Sequence, residues 1–123
     1  MRRVLLITAR PLALALALGA GAAVVAAGCT QAGEAPMPTA DQAGDAPLVE
    51  GREIYILRCQ RCHGATGKGG AGSALAGRMV TKYPDPADQA EIVANGKGGM
   101  PAWRNALSAE QIDAVVRYTR EVL

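Results

Sequence analysis

Residues 59–63 read Cys59-Gln60-Arg61-Cys62-His63, two thiols three positions apart followed at once by an imidazole. The spacing C-x-x-C-H is the attachment sequence of haem c. Two thiols on one helical turn can reach the two vinyl groups of a single porphyrin, and the imidazole beside the second thiol then points at the iron. Other chemistries for these residues need company the chain lacks. A redox disulfide of the thioredoxin type belongs in a βαβ context, and this chain reads as helices only. A zinc site needs four ligands of suitable geometry. Here His63 is the only histidine, and Cys29, the remaining cysteine, lies far upstream. One covalent haem c is the expected cofactor, held by Cys59 and Cys62, with His63 as one axial ligand.

The other axial ligand cannot be histidine. The run Asn95-Gly96-Lys97-Gly98-Gly99-Met100-Pro101-Ala102-Trp103 offers Met100. It sits in a Gly-rich loop that permits close approach, and Pro101 stiffens the segment. A thioether is a soft neutral ligand, and His/Met ligation raises the potential. Met79 is the competing thioether. Filling both axial positions leaves no place for substrate, so the expected function is outer-sphere one-electron transfer and not catalysis. Two other readings stand beside it. A labile Met100 would make a small-ligand sensor or a peroxidase, although no distal histidine or acid–base pair accompanies it. An electron-entry subunit of a larger oxidoreductase would carry the same residues. Arg58, Arg61, Lys68, Lys97 and Arg104 flank these segments and suggest a positive rim for transient, acidic redox partners; scattered solvated charge is the plainer account of them.

Three helical segments must position this chemistry. The first runs from about Val49 to Cys59. The second starts at Asp85-Pro86, a cap and first-turn pair, and stops at Asn95-Gly96. The third opens on Ser108 with Gln111 three residues on, the pattern of a capping box. It presents Ile112, Val115, Val116, Thr119 and Val122 on one face, with Asp113 and Arg117 spaced for an i,i+4 pair. A Gly-rich loop, Gly64 to Gly77, joins the first two.

Ahead of the domain lies an address. Arg2-Arg3 precede Val4-Leu5-Leu6-Ile7, residues 12–27 are wholly apolar or Gly, and the stretch closes on Ala26-Ala27-Gly28-Cys29. Residues 1–28 therefore read as an export signal. The small-small-Cys ending resembles a lipobox, which would lipidate Cys29 and tie the chain to a bacterial membrane on its periplasmic side. Plain cleavage after Ala27 and an uncleaved anchor are the alternatives. Residues 29–47 read as a flexible Ala/Gly/Pro-rich tether and residues 48–123 as the domain. The whole chain of 123 residues has room for one domain. Its formal net charge of +2, without basic runs interleaved with aromatics, argues against nucleic acid.

Together these pieces resemble the class I monohaem c-type cytochromes, the small group that includes cytochrome c6 and cytochrome c-553. The likeness rests on Gly51-x-x-x-Tyr55, Cys59 to His63, Leu75-Ala76-Gly77, Asn95-Gly96 before Met100-Pro101-Ala102, and Val115-Val116-Arg117-Tyr118. It implies an all-α small cytochrome c fold, a monomer with helices wrapped around one covalent haem. The first and last helices would cross at Gly51, with Tyr55 and Tyr118 packed near the crossing. Trp103 would pack against the haem or the loop closing over it. Where the family has a proline whose carbonyl accepts the imidazole N–H, this sequence has Ser73. A haem would also supply the large flat apolar body that a domain without Phe and with one Trp lacks.

Overall fold

The computed structural model describes residues 33–123. The expected signal segment and Cys29 lie outside them. The described residues are helical, with one isolated β-bridge, Lys97 to Met100. Helix α1 (Ala46–Ile54) passes into a π-helical turn (Tyr55–Cys59) and then α2 (Gln60–His63). A loop leads to the short α3 (Met79–Lys82), then α4 (Pro86–Asn95) and α5 (Ala109–Glu121).

Local cap chemistry explains most boundaries. The Asp45 carboxylate accepts from Leu48 N–H at 3.2 Å and opens α1, three residues ahead of the expected start. Asp85 accepts from Ala87 N–H at 2.8 Å, Pro86 occupies the first turn, and Gly96 at φ +75° closes α4. Ser108 and Gln111 form the complete capping box of α5. These two helices lie where the sequence places them. The first helix does not: it continues through the π turn to His63. A π turn slips in one residue and rotates the helix beyond it, so it sets the direction in which Cys59, Cys62 and His63 leave the helix.

The core forms where α1 crosses α5. Tyr55, Tyr118, Leu48 and Val115 are fully buried there. The two tyrosine rings stand 5.4 Å apart, tilted at 46°. Both hydroxyls are satisfied by backbone: Tyr55 donates to Gly64 O at 2.6 Å and Tyr118 to Pro36 O at 2.7 Å. Burial pushes both phenols up to about 12. A second polar clamp joins α4 to α5. Buried Gln89 donates to Thr119 Oγ1 at 2.8 Å and accepts from Arg120.

The tether expected over 29–47 needs correcting from residue 34 onward. Ala35 is 2% exposed, and Pro38 is also buried. Arg52 donates to Ala35 O and Pro36 O and pairs with Glu34 at 2.8 Å. Alanine and proline look like linker material, but their carbonyls suit a guanidinium fork. The strap of residues 34–38 is thus part of the domain. Arg117 also departs from expectation. It pairs with Asp45 and with Glu121, four residues on, and leaves Asp113 alone.

The Arg117 hydrogen bond holds the Asp45 carboxyl below its ordinary 3.8. A lowered carboxylate stabilises the fold above that value and loses its effect as pH falls through the folded value. Asp45→Asn should therefore lower the melting temperature at neutral pH, and the gap to wild type should close in acid. Thermal melts across the acid range check this.

Candidate cofactor site

A cavity of about 800 Å3 opens between the Cys59–His63 segment and the residues around Met100. That volume is the usual size of a cofactor site. Cys59, Cys62 and His63 line one wall, Met100, Pro101 and Trp103 another, and Met79, Ile92 and Val93 part of the apolar remainder. The fold thus brings all four sequence-predicted domain residues to one space.

The thiols differ. Both are free, Cys62 exposed and Cys59 half-buried. Burial, helped by Cys62, pushes the Cys59 thiol up to about 11, so it stays protonated at neutral pH.

The imidazole is fixed in one tautomer. His63 Nδ1 lies 2.7 Å from Ser73 O. A carbonyl only accepts, so Nδ1 carries the proton and Nε2 keeps its lone pair for a metal. Replacing the family proline with Ser73 therefore leaves this bond intact. Gly72 makes the contact close: a Cβ there would stand 2.9 Å from His63 Cε1. Gly69 N–H donates to His63 O and Gly72 N–H to Cys62 O, tying the loop back onto α2.

Met100 is carried differently. Lys97 and Met100 exchange N–H···O bonds of 3.2 and 3.1 Å across Gly98-Gly99, forming a tight turn. Behind it, Gly96 leaves no room for a side chain, since a Cβ would stand 2.9 Å from Ala102 N. Ahead, Trp103 N–H donates to Val93 O and Ala94 O at the end of α4. Both ends of the methionine segment are pinned, and Met100 itself is half-buried. Met79, on α3, also lines the cavity but is 4% exposed and packed into the floor.

Arg58 lies over the Trp103 ring, 5.9 Å from its centroid. Three lining groups were missed from sequence: Lys82, Tyr83 and Gln89. Helix α3 carries no periodicity, and a buried glutamine has no sequence signal, so nothing local marked them. Of the expected rim, Arg58, Arg61 and Lys97 line the cavity with Lys82, whereas Lys68 and Arg104 stand away from it. No carboxylate is among the lining residues.

The residues present fit a haem: two free thiols, one imidazole with an open Nε2, a thioether, and apolar walls.

Comparison with known proteins agrees with this fit. The family described as "Cytochrome C oxidase, cbb3-type, subunit III" matches residues 46–118. Cytochrome c6 of Bryopsis maxima is 39% identical over 80 residues, covering 58% of this chain and 86% of that protein. The cbb3-type cytochrome c oxidase subunit FixP of Azorhizobium caulinodans is 39% identical over 80 residues; the match covers 61% of this chain and 27% of that larger protein. Among solved structures, cytochrome c6C from Synechococcus superposes with a TM-score of 0.51 at 33% identity, over 58% of this chain and 92% of that one.

Proposed function

This chain belongs to the cytochrome c family, and on that premise we propose that it carries single electrons through one haem c bonded to Cys59 and Cys62 and ligated by His63 and Met100. The tautomer of His63 carries the reading: Ser73 O holds the Nδ1 proton, and Nε2 faces the role of a neutral ligand. Bound haem c supplies a reversible Fe(III)/Fe(II) couple. The chain's own residues do the rest. Cys59 and Cys62 fix the group, the pinned Met100 segment presents the thioether, and Ile92, Val93 and Met79 exclude water from its face.

The exported address and Cys29 give this carrier a place. We read residues 1–28 as a lipoprotein-type signal and Cys29 as the lipidated first residue, holding a monomeric domain on the periplasmic side of a membrane. The cationic mouth formed by Arg58, Arg61, Lys82 and Lys97 then favours acidic, transient redox partners.

An optical spectrum of the matured holoprotein tests the ligation. A weak long-wavelength sulfur–ferric band, with no change on adding carbon monoxide to the reduced protein, is the expected result. A missing band with ready carbon monoxide binding would instead support the sensor or peroxidase reading. The mouth has its own check. Electron-transfer rates to an acidic partner should fall about tenfold or more as ionic strength rises from low to physiological salt. A flat salt profile, measured by stopped-flow, would remove the cationic mouth from the docking account.

A further inference from the structure

The strap fixes where the chain enters the domain. Arg52 is largely buried (side chain 13% exposed) and holds Ala35 O and Pro36 O, while Tyr118 holds Pro36 O from the other side. These residues precede the matched family segment, which starts at residue 46. Upstream of it, Gly33 lies beside Thr66: a Cβ on Gly33 would stand 3.8 Å from Thr66 Cγ2. The chain therefore enters next to the Gly64–Gly72 loop that comes after His63.

We propose that the strap turns the Gly64–Gly70 part of this loop toward a lipid surface and leaves the cavity mouth free for partners. This rests on the reading of Cys29 as the lipidated residue. Three residues lie between Cys29 and Gly33, and even fully extended the four Cα–Cα steps span only about 14 Å. A domain of this size is about 30 Å across. A leash half the domain's width keeps the entry side in the hemisphere facing the lipid. Without the strap, the chain would be free back to the start of α1 and the leash would exceed the domain's width, so the domain could present any face. The pinning of Ala35 and Pro36 thus turns a swivelling carrier into an oriented one.

The three lysines of the sequence are a built-in footprint. All are exposed. Lys68 sits on the loop beside the entry point, whereas Lys82 and Lys97 line the cavity. Full-chain holoprotein in isolated membranes is treated with a water-soluble acylating reagent, and modification of each lysine is read by mass spectrometry. Lys68 should react about fivefold or more slowly relative to Lys97. The ratio should return toward one when Arg52→Gln and Tyr118→Phe release the strap, with the haem spectrum reporting that the fold persists. A second variant leaves the fold untouched: ten Gly/Ser residues inserted between Thr30 and Gln31 lengthen the leash and should also abolish the protection. Equal reactivity of Lys68 and Lys97 on membrane-held wild type overturns the orientation alone. So does protection that survives the insertion. A chain that stays in the soluble fraction without added lipid mass overturns the anchor and the orientation with it.

Discussion

Matured Met100→Ala protein is expected to lose the sulfur–ferric band, to bind carbon monoxide when reduced, and to show a potential lower by a few hundred mV, within the ~0.8 V range that axial ligands span. Removing the thioether leaves His63 as the only strong donor named at the site and admits water to the opposite side. The turn itself should survive. The Lys97–Met100 bridge is made by backbone atoms, and the side chain is only half-buried. Stability should therefore change far less than the spectrum. Met79→Leu supplies the contrast. Met79 is 4% exposed, and a volume-conserving swap in a core costs less than about 1.5 kcal/mol, so that variant should keep the band and melt slightly earlier. The two thioethers line the same cavity, and this pair of variants separates ligand from floor. Loss of the band in Met79→Leu with retention in Met100→Ala would reverse the assignment.

What the sequence made legible divides by range. The cap of α4 and the capping box of α5 are written in residues within three positions of one another, and both helices lie where those residues predict. The C-x-x-C-H motif is also local. The crossing at Gly51 and the Ser73 carbonyl contact came from family likeness, and the geometry agrees with both. Interactions between distant residues were not legible. Tyr118 and Pro36 are 82 positions apart, and Arg52 and Ala35 are 17. No composition rule distinguishes Ala-Pro carbonyls held by an arginine from the same residues in a free linker. Arg117 shows the same limit from the other side. The i−4 partner Asp113 is the reasonable guess on one helix, but the guanidinium reaches α1's cap and the i+4 carboxylate instead. The π turn at Tyr55–Cys59 is illegible for a third reason. Its residues have ordinary helix propensities, and nothing in them marks where the extra residue slips in.

Gly51→Ala is expected to lower the stability of the holoprotein by about 2 kcal/mol or more, a fall in melting temperature on the order of 10 °C for a domain this small. Two effects oppose each other at this position. Alanine is the better helix former by about 1 kcal/mol, so on an exposed face the change would stabilise. Here the added methyl would overlap the Ala114 carbonyl oxygen and stand 2.9 Å from Tyr118 Cβ. Neither neighbour can yield cheaply. The first is backbone inside α5, and the second is the root of a fully buried ring whose hydroxyl is tied to Pro36 O. The helices must therefore move apart, which loosens the Tyr55–Tyr118 contact and, through the Tyr55 hydroxyl, the hold on Gly64 next to His63. Overpacking thus outweighs propensity. Gly44→Ala is the control, since a Cβ there meets nothing within 4 Å and no positive φ has to be kept. It should shift stability by no more than about 0.5 kcal/mol. Melting both variants at neutral pH decides the matter: a Gly51→Ala curve that coincides with the control would mean that α1 and α5 can separate without cost, and the tyrosine pair would then cease to explain how the haem-attaching segment is held.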